Sequence, residues 1–415
     1  MSDRLNLSAV VAVVGLFGFA SSAMAQGACD SKKISKKLEK PLAGVQKARE
    51  AQDWAGMVTQ IREADALPVE KSEYDKFWLH ELAGVAHANQ KQYADAVREF
   101  DAALASPCMA DADRPQRTKL LMQMSYQLKD YPGAIKYGTE AMKLVSDPEI
   151  AVYVGNAYYL TDDYANARRV VSEIIQKQET NGQKPDEQTI RILQSACLKL
   201  KDDACVVEQI EKLVQNYPKP EHWVDLVNSL LRVAKTDKEI LNVLRLADGV
   251  DVMNTPAQFT EMAQLAMAQG LPGEAQAALE KGVQKKIFDA SPRERDHANR
   301  LIGEAKKAAT LDQSTLDKQD ASARAKTTGD SDVKLGAAYL SYGQNDKAVE
   351  ALKRGLGKGG VKAPDEASLL LGMAYFRSNN NAEAAKAFGA VTQDPALQRI
   401  AKLWLLKVAP GASAG

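Results

Sequence analysis

The four histidines are the first residues to consider for chemistry, because imidazole binds metals and transfers protons near neutral pH. Only His80 and His87 share a predicted helical face, seven residues apart. No cysteine or carboxylate stands at ligand spacing with this pair. His87 also occupies a position that is tyrosine in similar segments of the chain, which packing explains. The histidines therefore predict no metal site.

Motifs for catalysis and cofactor binding are missing from the sequence. It has no Walker loop, dinucleotide fingerprint, nucleophile elbow or zinc-protease helix. No non-repetitive segment is long enough for a separate catalytic domain. We therefore expect a protein that is not an enzyme and that uses no cofactor.

Cysteine chemistry depends on the compartment. The chain has four cysteines, Cys29, Cys108, Cys197 and Cys205, and an even number favours disulfides in an oxidising compartment. A bridge from Cys197 to Cys205 would join two helices across a short polar turn. The remaining pairing is Cys29 with Cys108, and the sequence leaves both pairings open because it does not fix Cα separations.

The N-terminus predicts export. Arg4 precedes an apolar stretch over 7–20, and Ala23-Met24-Ala25 fits a small-x-small cleavage site, so residues 1–25 are interpreted as a signal peptide. Its fourteen apolar residues are fewer than the ~20 that a membrane-spanning helix needs. An uncleaved anchor is the alternative, whereas lipidation of Cys29 lacks the apolar residue expected three places earlier. We therefore expect a periplasmic protein.

The charge composition is balanced, with 54 Lys and Arg against 54 Asp and Glu. A chain without net charge has no general attraction for nucleic acid. No segment after the signal peptide is apolar enough to cross a membrane. The partners that remain are proteins or peptides.

The elements that would position any site belong to a repeat of about 33 to 40 residues, found in nine copies. Each clear copy has six residues at fixed offsets: a glycine, an aromatic residue or histidine, a Tyr or Asn, an alanine, a large apolar residue and a small or apolar residue. The four clearest copies begin at Gly84, Gly155, Gly336 and Gly372. Positions three and four apart share a helix face, and a short polar stretch separates two such faces. Each copy therefore predicts a helical hairpin that must stack on its neighbours.

These residues resemble the tetratricopeptide repeat family, in its order of small residue, aromatic, Ala, aromatic, Ala and Pro. The resemblance covers roughly 38–290 and 329–395. It implies an all-α fold, a right-handed superhelical solenoid of stacked antiparallel helix pairs, with a concave groove that binds peptides or proteins. The expected ranges are a signal peptide over 1–25, an N-terminal array over 26–290, a degenerate repeat or linker helix over 291–328, a C-terminal repeat pair with a capping helix over 329–408, and a disordered tail over 409–415.

The resemblance also implies which residues face the groove, namely those one and four places after the motif glycine. The predicted peptide-binding residues are Gln123, Tyr126, Asn156, Tyr159, Lys199 and Arg232. The same rule gives Ala196, Ser229, Gln264, Met267, Ala337, Leu340, Met373 and Phe376. Amides suit the backbone of an extended peptide, tyrosines supply contact area, and the two cations suit a carboxylate. The set does not reproduce the carboxylate clamp of chaperone-binding family members.

The functional expectation is a non-catalytic periplasmic adaptor that holds a peptide segment or partner protein. One alternative is a structural subunit of a cell-envelope transport or outer-membrane assembly machine, which would use the outer surface. Another is an accessory factor or enzyme that acts on peptidoglycan or glycan. The sequence leaves the oligomeric state open.

Overall fold

The structure is a computed structural model that describes residues 29–31 and 33–409. The predicted signal peptide and the tail from residue 410 lie outside the described residues. Every regular element of the described chain is a helix, and the predicted all-α class of stacked antiparallel helix pairs is confirmed. The chain forms two compact units, which we call unit 1 (1–201) and unit 2 (202–415). The predicted C-terminal pair thus shares unit 2 with residues 202–290.

Unit 1 contains nine helices among its described residues. They are α1 (Lys36–Glu50), α2 (Trp54–Ala66), α3 (Glu73–Asn89), α4 (Tyr93–Ala105), α5 (Arg114–Gln127), α6 (Tyr131–Leu144), α7 (Pro148–Leu160), α8 (Tyr164–Thr180) and α9 (Glu187–Lys199). Each helix packs against the next within the unit, and the first helices of successive hairpins also touch, α5 with α7 and α7 with α9.

Unit 2 contains twelve helices in its described part. They are α10 (Asp203–Asn216), α11 (Pro220–Val233), α12 (Asp237–Gly249), α13 (Pro256–Ala268), α14 (Pro272–Gln284), α15 (Pro292–Gln313), α16 (Leu316–Ala325), α17 (Asp330–Ser341), α18 (Asn345–Lys358), α19 (Pro364–Arg377), α20 (Asn381–Gly389) and α21 (Pro395–Val408). Here helices distant in sequence also meet, because α21 packs against α12 and α17 packs against α14.

A recurrent turn ends the first helix of the hairpins. One residue takes a left-handed conformation, such as Lys129 at φ 60° or Asp162 at φ 61°. In several copies the next residue is an Asp or Asn whose side chain caps the second helix, as Asp130 does by accepting from the Gly133 amide. The left-handed residue terminates one helix and the cap starts the other. This turn fixes the register of the two helices.

Close packing between the two helices requires the motif glycine. A Cβ added at Gly84 would lie 2.5 Å from ring carbons of Phe100, sixteen residues later and fully buried. Gly372 stands in the same relation to Phe388. The glycine therefore lets the aromatic ring of the second helix press against the backbone of the first.

Residues 291–328 form two helices rather than one. The long helix α15 packs against α13 and α14, whereas α16 packs against α17. The Tyr342 hydroxyl of the α17 C-cap donates to Asp312 of α15 at 2.7 Å. No helix in the described ranges is long and apolar enough to cross a membrane.

Candidate functional site

Four of the predicted groove residues come together on adjacent helices of unit 1. Gln123 and Tyr126 lie on α5, Asn156 and Tyr159 lie on α7, and all four are half-buried. The Asn156 amide donates a hydrogen bond to the Tyr126 hydroxyl across the two helices. This contact uses an amide that the sequence analysis assigned to a bound peptide.

Tyr126 is held by two further rings. Its ring makes edge contacts with Tyr131 at 5.6 Å and with Tyr153 at 5.1 Å between centroids. Burial raises the pKa of Tyr126 to about 12, so its hydroxyl stays neutral at physiological pH. Tyr126 is therefore held in place by its neighbours and stays partly accessible.

Lys199 and Tyr159 meet through a common aromatic neighbour. Tyr159 contacts Tyr164 edge to face at 5.3 Å between centroids, and the Lys199 ammonium lies 5.7 Å from the centre of the Tyr164 ring. Lys199 is exposed. The structure thus places a cation next to the tyrosines, on α9.

The register of α9 differs by one residue from the sequence-based alignment. The left-handed residue follows the motif glycine position by seven in the clear copies, as Asp162 follows Gly155. In α9 the left-handed residue is Lys201, so the glycine position is Gln194 and not Ser195. Ala196 is fully buried, which corrects its prediction as a groove residue. The position equivalent to Tyr126 and Tyr159 is therefore Leu198.

Exposed leucines lie near the C-terminal ends of these first helices, and the sequence analysis missed them. Leu200, the residue that follows α9, is 38% exposed. Leu128, Leu160 and Leu198 stand at the ends of α5, α7 and α9, with exposed fractions of 40%, 44% and 56%. We call these three residues the leucine edge. In the sequence, each of these leucines stands just before the polar turn that ends its helix, outside the six motif positions. The first helices thus present both tyrosine rings and aliphatic side chains.

Arg232, the sixth predicted groove residue, belongs to α11 of unit 2. It is exposed, and its guanidinium lies 3.3 Å from the Asp203 carboxylate of α10. A carboxylate of the same unit therefore already occupies the position that was predicted for a peptide carboxylate.

Two other predicted positions in unit 2 are inaccessible. Leu340 and Met373 have exposed fractions of 3% and 1%, so neither lines an open groove. Phe376 is half-buried and packs against Trp404 of α21 at 5.2 Å between ring centroids. Ser229 is buried as well, whereas Gln264 is exposed and Met267 and Ala337 are half-buried. Accessible positions of the predicted kind therefore occur in both units.

A disulfide joins Cys29 to Cys108, with a Cα separation of 4.9 Å. Asp30 lies close to both sulfurs, but sulfurs bonded to each other are not thiolate ligands for a metal. Cys197 and Cys205 are buried and neither is a free thiol. Their mutual pairing stays a prediction.

The histidine pair is engaged within the protein. Nδ1 of His80 lies 2.8 Å from the Glu99 carboxylate, and Nδ1 of His87 lies 2.7 Å from the Gln92 side-chain oxygen. Each imidazole thus has its own hydrogen-bond partner.

Comparison with known proteins supports a local assignment. Residues 333–397 match a family model described as tetratricopeptide repeat. No curated protein matches the sequence. Similar solved structures include a tetratricopeptide repeat protein from Parabacteroides merdae, at 11% identity and a TM-score of 0.31, covering 66% of this chain and all of that one.

Two further solved structures are similar at the same low level. The TPR2AB domain of yeast Sti1 in its pHSP90 complex has 16% identity and a TM-score of 0.26, covering 72% of this chain and 99% of that one. A thermophilic tetratricopeptide repeat protein from Thermus thermophilus has 15% identity and a TM-score of 0.20. The match covers 63% of this chain and all of that one. Likeness at this level assigns no partner to this chain.

Proposed function

We propose that this protein is a non-catalytic adaptor that binds a peptide segment or partner protein on the first-helix face of unit 1. The observation that carries the proposal is the leucine edge beside Tyr126 and Tyr159. Counted from the left-handed turn residues, Leu198 stands at the position of Tyr126 and Tyr159, Leu160 one place later and Leu128 two places later. Exposed apolar side chains near the ends of successive first helices are the kind of surface that marks interaction sites.

The face combines two kinds of contact. The tyrosines are held by their neighbours, so ordering them on binding costs little entropy. Burying the exposed half of each leucine contributes roughly 1 kcal/mol. Gln123 and Ser195 are half-buried beside them and offer polar groups to a backbone. These properties support a segment with apolar side chains as the partner.

Apart from Leu200, the other exposed large apolar residues do not lie on successive first helices. Leu144, Val283 and Leu311 lie near the ends of three different helices, α6, α14 and α15. Single exposed apolar side chains are ordinary on soluble proteins. This difference favours the first-helix face over an assembly role for the outer surface.

We also propose that the protein works in the periplasm. The signal-type N-terminal sequence supports this location, and so does the Cys29–Cys108 disulfide, because structural disulfides persist in oxidising compartments. Detection of the protein in the periplasmic fraction, with a mature chain that begins near Gln26, would test it. A chain retained with its first 25 residues in the cytoplasm would contradict it.

The adaptor proposal is tested by affinity capture from envelope extract with matched variants of the chain from Gln26. The test variant changes Leu128, Leu160 and Leu198 to Gln. The control variant changes Leu144 and Leu311 to Gln, which are 43% and 72% exposed. We expect a partner that the original chain and the control retain and that the test variant loses. Equal retention by all three proteins would contradict this site.

A further inference from the structure

A cleft of about 550 Å³ lies in unit 1 between the second helices α2 and α4, over the first helix α3. Its buried lining, which we call the floor, is mostly apolar: Val58, Ile61, Leu79 and Ala83 are less than a tenth exposed, and His87 is the one buried polar side chain among the described lining residues. We call the whole cavity the α2–α4 cleft. Its size is within the range of small-molecule sites. It uses no residue of the leucine edge.

The neighbouring hairpin shows why this cleft is open. Positions in the hairpins can be compared by counting from the left-handed turn residues. Asp101 in α4 is then equivalent to Arg62 in α2, and Tyr137 in α6 is equivalent to Glu99 in α4. The Tyr137 hydroxyl donates to Asp101 at 2.7 Å, and the buried ring fills the space between the two helices. Arg62 and Glu99 leave the equivalent space unfilled.

The acidic groups of the cleft already have partners within the protein. Glu99 contacts His80 at 2.8 Å and Arg98 at 3.4 Å, and Asp65 lies 3.9 Å from the Lys71 ammonium.

The cations other than Arg62 also have partners. Besides Lys71, Lys76 lies 2.7 Å from Glu73, and Arg98 lies 3.0 Å from Asp95. Arg62 is exposed at the same cleft, and within the described part of the chain it has no hydrogen-bond or ion-pair partner. One guanidinium therefore faces solvent beside an apolar floor.

We propose that the α2–α4 cleft binds a small organic acid, with its carboxylate on Arg62 and its apolar body on the floor. A guanidinium pairs with a carboxylate through two parallel hydrogen bonds. Because Arg62 is the one uncompensated cation among the cleft's described residues, a single carboxylate matches the site better than a polyanion. The buried apolar floor adds the attraction for a hydrocarbon chain or ring.

Isothermal titration calorimetry with octanoate tests this site in the full mature chain at neutral pH. The variant Arg62→Asp/Glu99→Tyr installs the two residues that close the next cleft. We expect it to weaken octanoate binding at least tenfold. Arg62→Gln changes only an exposed side chain, and we expect the same direction of effect. Lys136→Ala is the control, because Lys136 stands in the closed cleft where Arg98 stands in the open one.

The uncharged probe 1-octanol separates the two parts of the site. We expect it to bind at least tenfold more weakly than octanoate to the original chain. Equal binding of octanol and octanoate would overturn the role of Arg62. Unchanged octanoate binding in both Arg62 variants, or no octanoate binding to the original chain, would overturn the site. Thermal unfolding of each variant checks that its fold is kept.

Discussion

Unit 1 and unit 2 are built from the same helical hairpin but differ in how far apart in sequence their packed helices are. In unit 1 the contacts connect helices that are neighbours in the chain or first helices of successive hairpins. In unit 2 the last helix, α21, returns to pack on α12, and α17 packs on α14. The same repeat thus makes contacts between near neighbours in one unit and adds long-range contacts onto the second helices α12 and α14 in the other.

Buried side chains of unit 2 make these contacts. Trp404 of α21 stacks on Phe388 at 5.5 Å between ring centroids, contacts Phe376 at 5.2 Å, and approaches Gly249 of α12 so closely that a Cβ there would clash. The buried, bidentate pair of Arg245 with Glu274 joins α12 to α14, at 2.6 and 2.8 Å. In unit 2 both apolar and charged side chains therefore join helices that are distant in sequence.

In unit 1 the long-range links are a disulfide and hydrogen bonds near the N-terminal end. The Cys29–Cys108 disulfide closes a segment of 79 residues in sequence separation that contains α1 to α4. Asp75 accepts hydrogen bonds from Ser35 and Ser72, which ties the segment before α1 to the start of α3. The two units are thus held together by different contacts, a disulfide and a buried carboxylate in unit 1 and long-range helix packing in unit 2.

Removal of the disulfide should have the largest effect, and it should be confined to unit 1. The change of Cys29 and Cys108 to Ser frees a loop of 79 residues in the unfolded chain, which lowers the free energy of unfolding by about 4.5 kcal/mol in the chain-entropy estimate. Urea unfolding measures the loss, and hydrogen exchange locates it. Faster exchange in α1 to α4 with unchanged exchange in α17 to α21 is expected. An equal increase of hydrogen exchange in both units would contradict the expectation that the disulfide stabilises unit 1 alone.

The change Trp404→Ala should weaken the long-range packing of unit 2. The side chain is 2% exposed and touches α19, α20 and α12, so its removal leaves a cavity and costs about 4 kcal/mol. We expect faster hydrogen exchange in α12 and α19, and newly accessible apolar surface detected by dye binding. Lys402→Ala on the exposed side of α21 is the control. A variant without dye binding would show that Trp404 does not shield the apolar surface of α12, α19 and α20.

Asp75→Asn tests the hydrogen bonds that join the segment before α1 to the start of α3. Burial alone raises the pKa of Asp75, but hydrogen bonds from Ser35 and Ser72 outweigh it, and the pKa lies below its usual value. A lowered pKa in the folded state means that the carboxylate stabilises the fold above about pH 4, and that this stabilisation is lost as pH falls through the folded-state pKa. We expect the variant to lose about 2 kcal/mol at neutral pH.

The same variant should differ less from the original protein in acid. Urea unfolding near neutral pH and at about pH 3 measures both differences, since protonation of the original carboxylate removes what the substitution removes. A difference of equal size at both pH values would assign the loss to packing and not to the charged group.

The hairpins and their close packing were predictable from sequence, because they depend on local spacing. Gly84 with Phe100 is one such pair, and the four best copies all carry the glycine. The register of α9 was not predictable by the same rule, since Gln194 stands where the glycine would be. The left-handed Lys201 fixes that register, and a lysine in a sequence does not indicate this conformation.

The long-range packing of unit 2 and the leucine edge could not be read from the sequence. An apolar stripe such as Leu397, Ile400 and Trp404 predicts that a helix buries one side, but not which partner it meets. The contact of Trp404 with Gly249 joins residues 155 positions apart. The leucine edge was missed for the opposite reason, because exposed leucines resemble core leucines until the fold is known.

The smallest expected effect concerns the preorganisation of the first-helix face of unit 1. Tyr126→Phe keeps the ring contacts with Tyr131 and Tyr153 and removes the hydroxyl that accepts from Asn156, which costs about 1 kcal/mol in unfolding free energy. Tyr159→Phe is the matched control, because among the described residues its hydroxyl has no hydrogen-bond partner, and its effect should stay within about 0.5 kcal/mol. Since Asn156 then becomes free to bond a peptide, partner capture by Tyr126→Phe should be retained while stability falls. Loss of capture with Tyr126→Phe but not with Tyr159→Phe would instead show that the Tyr126–Asn156 contact holds the face in its binding form.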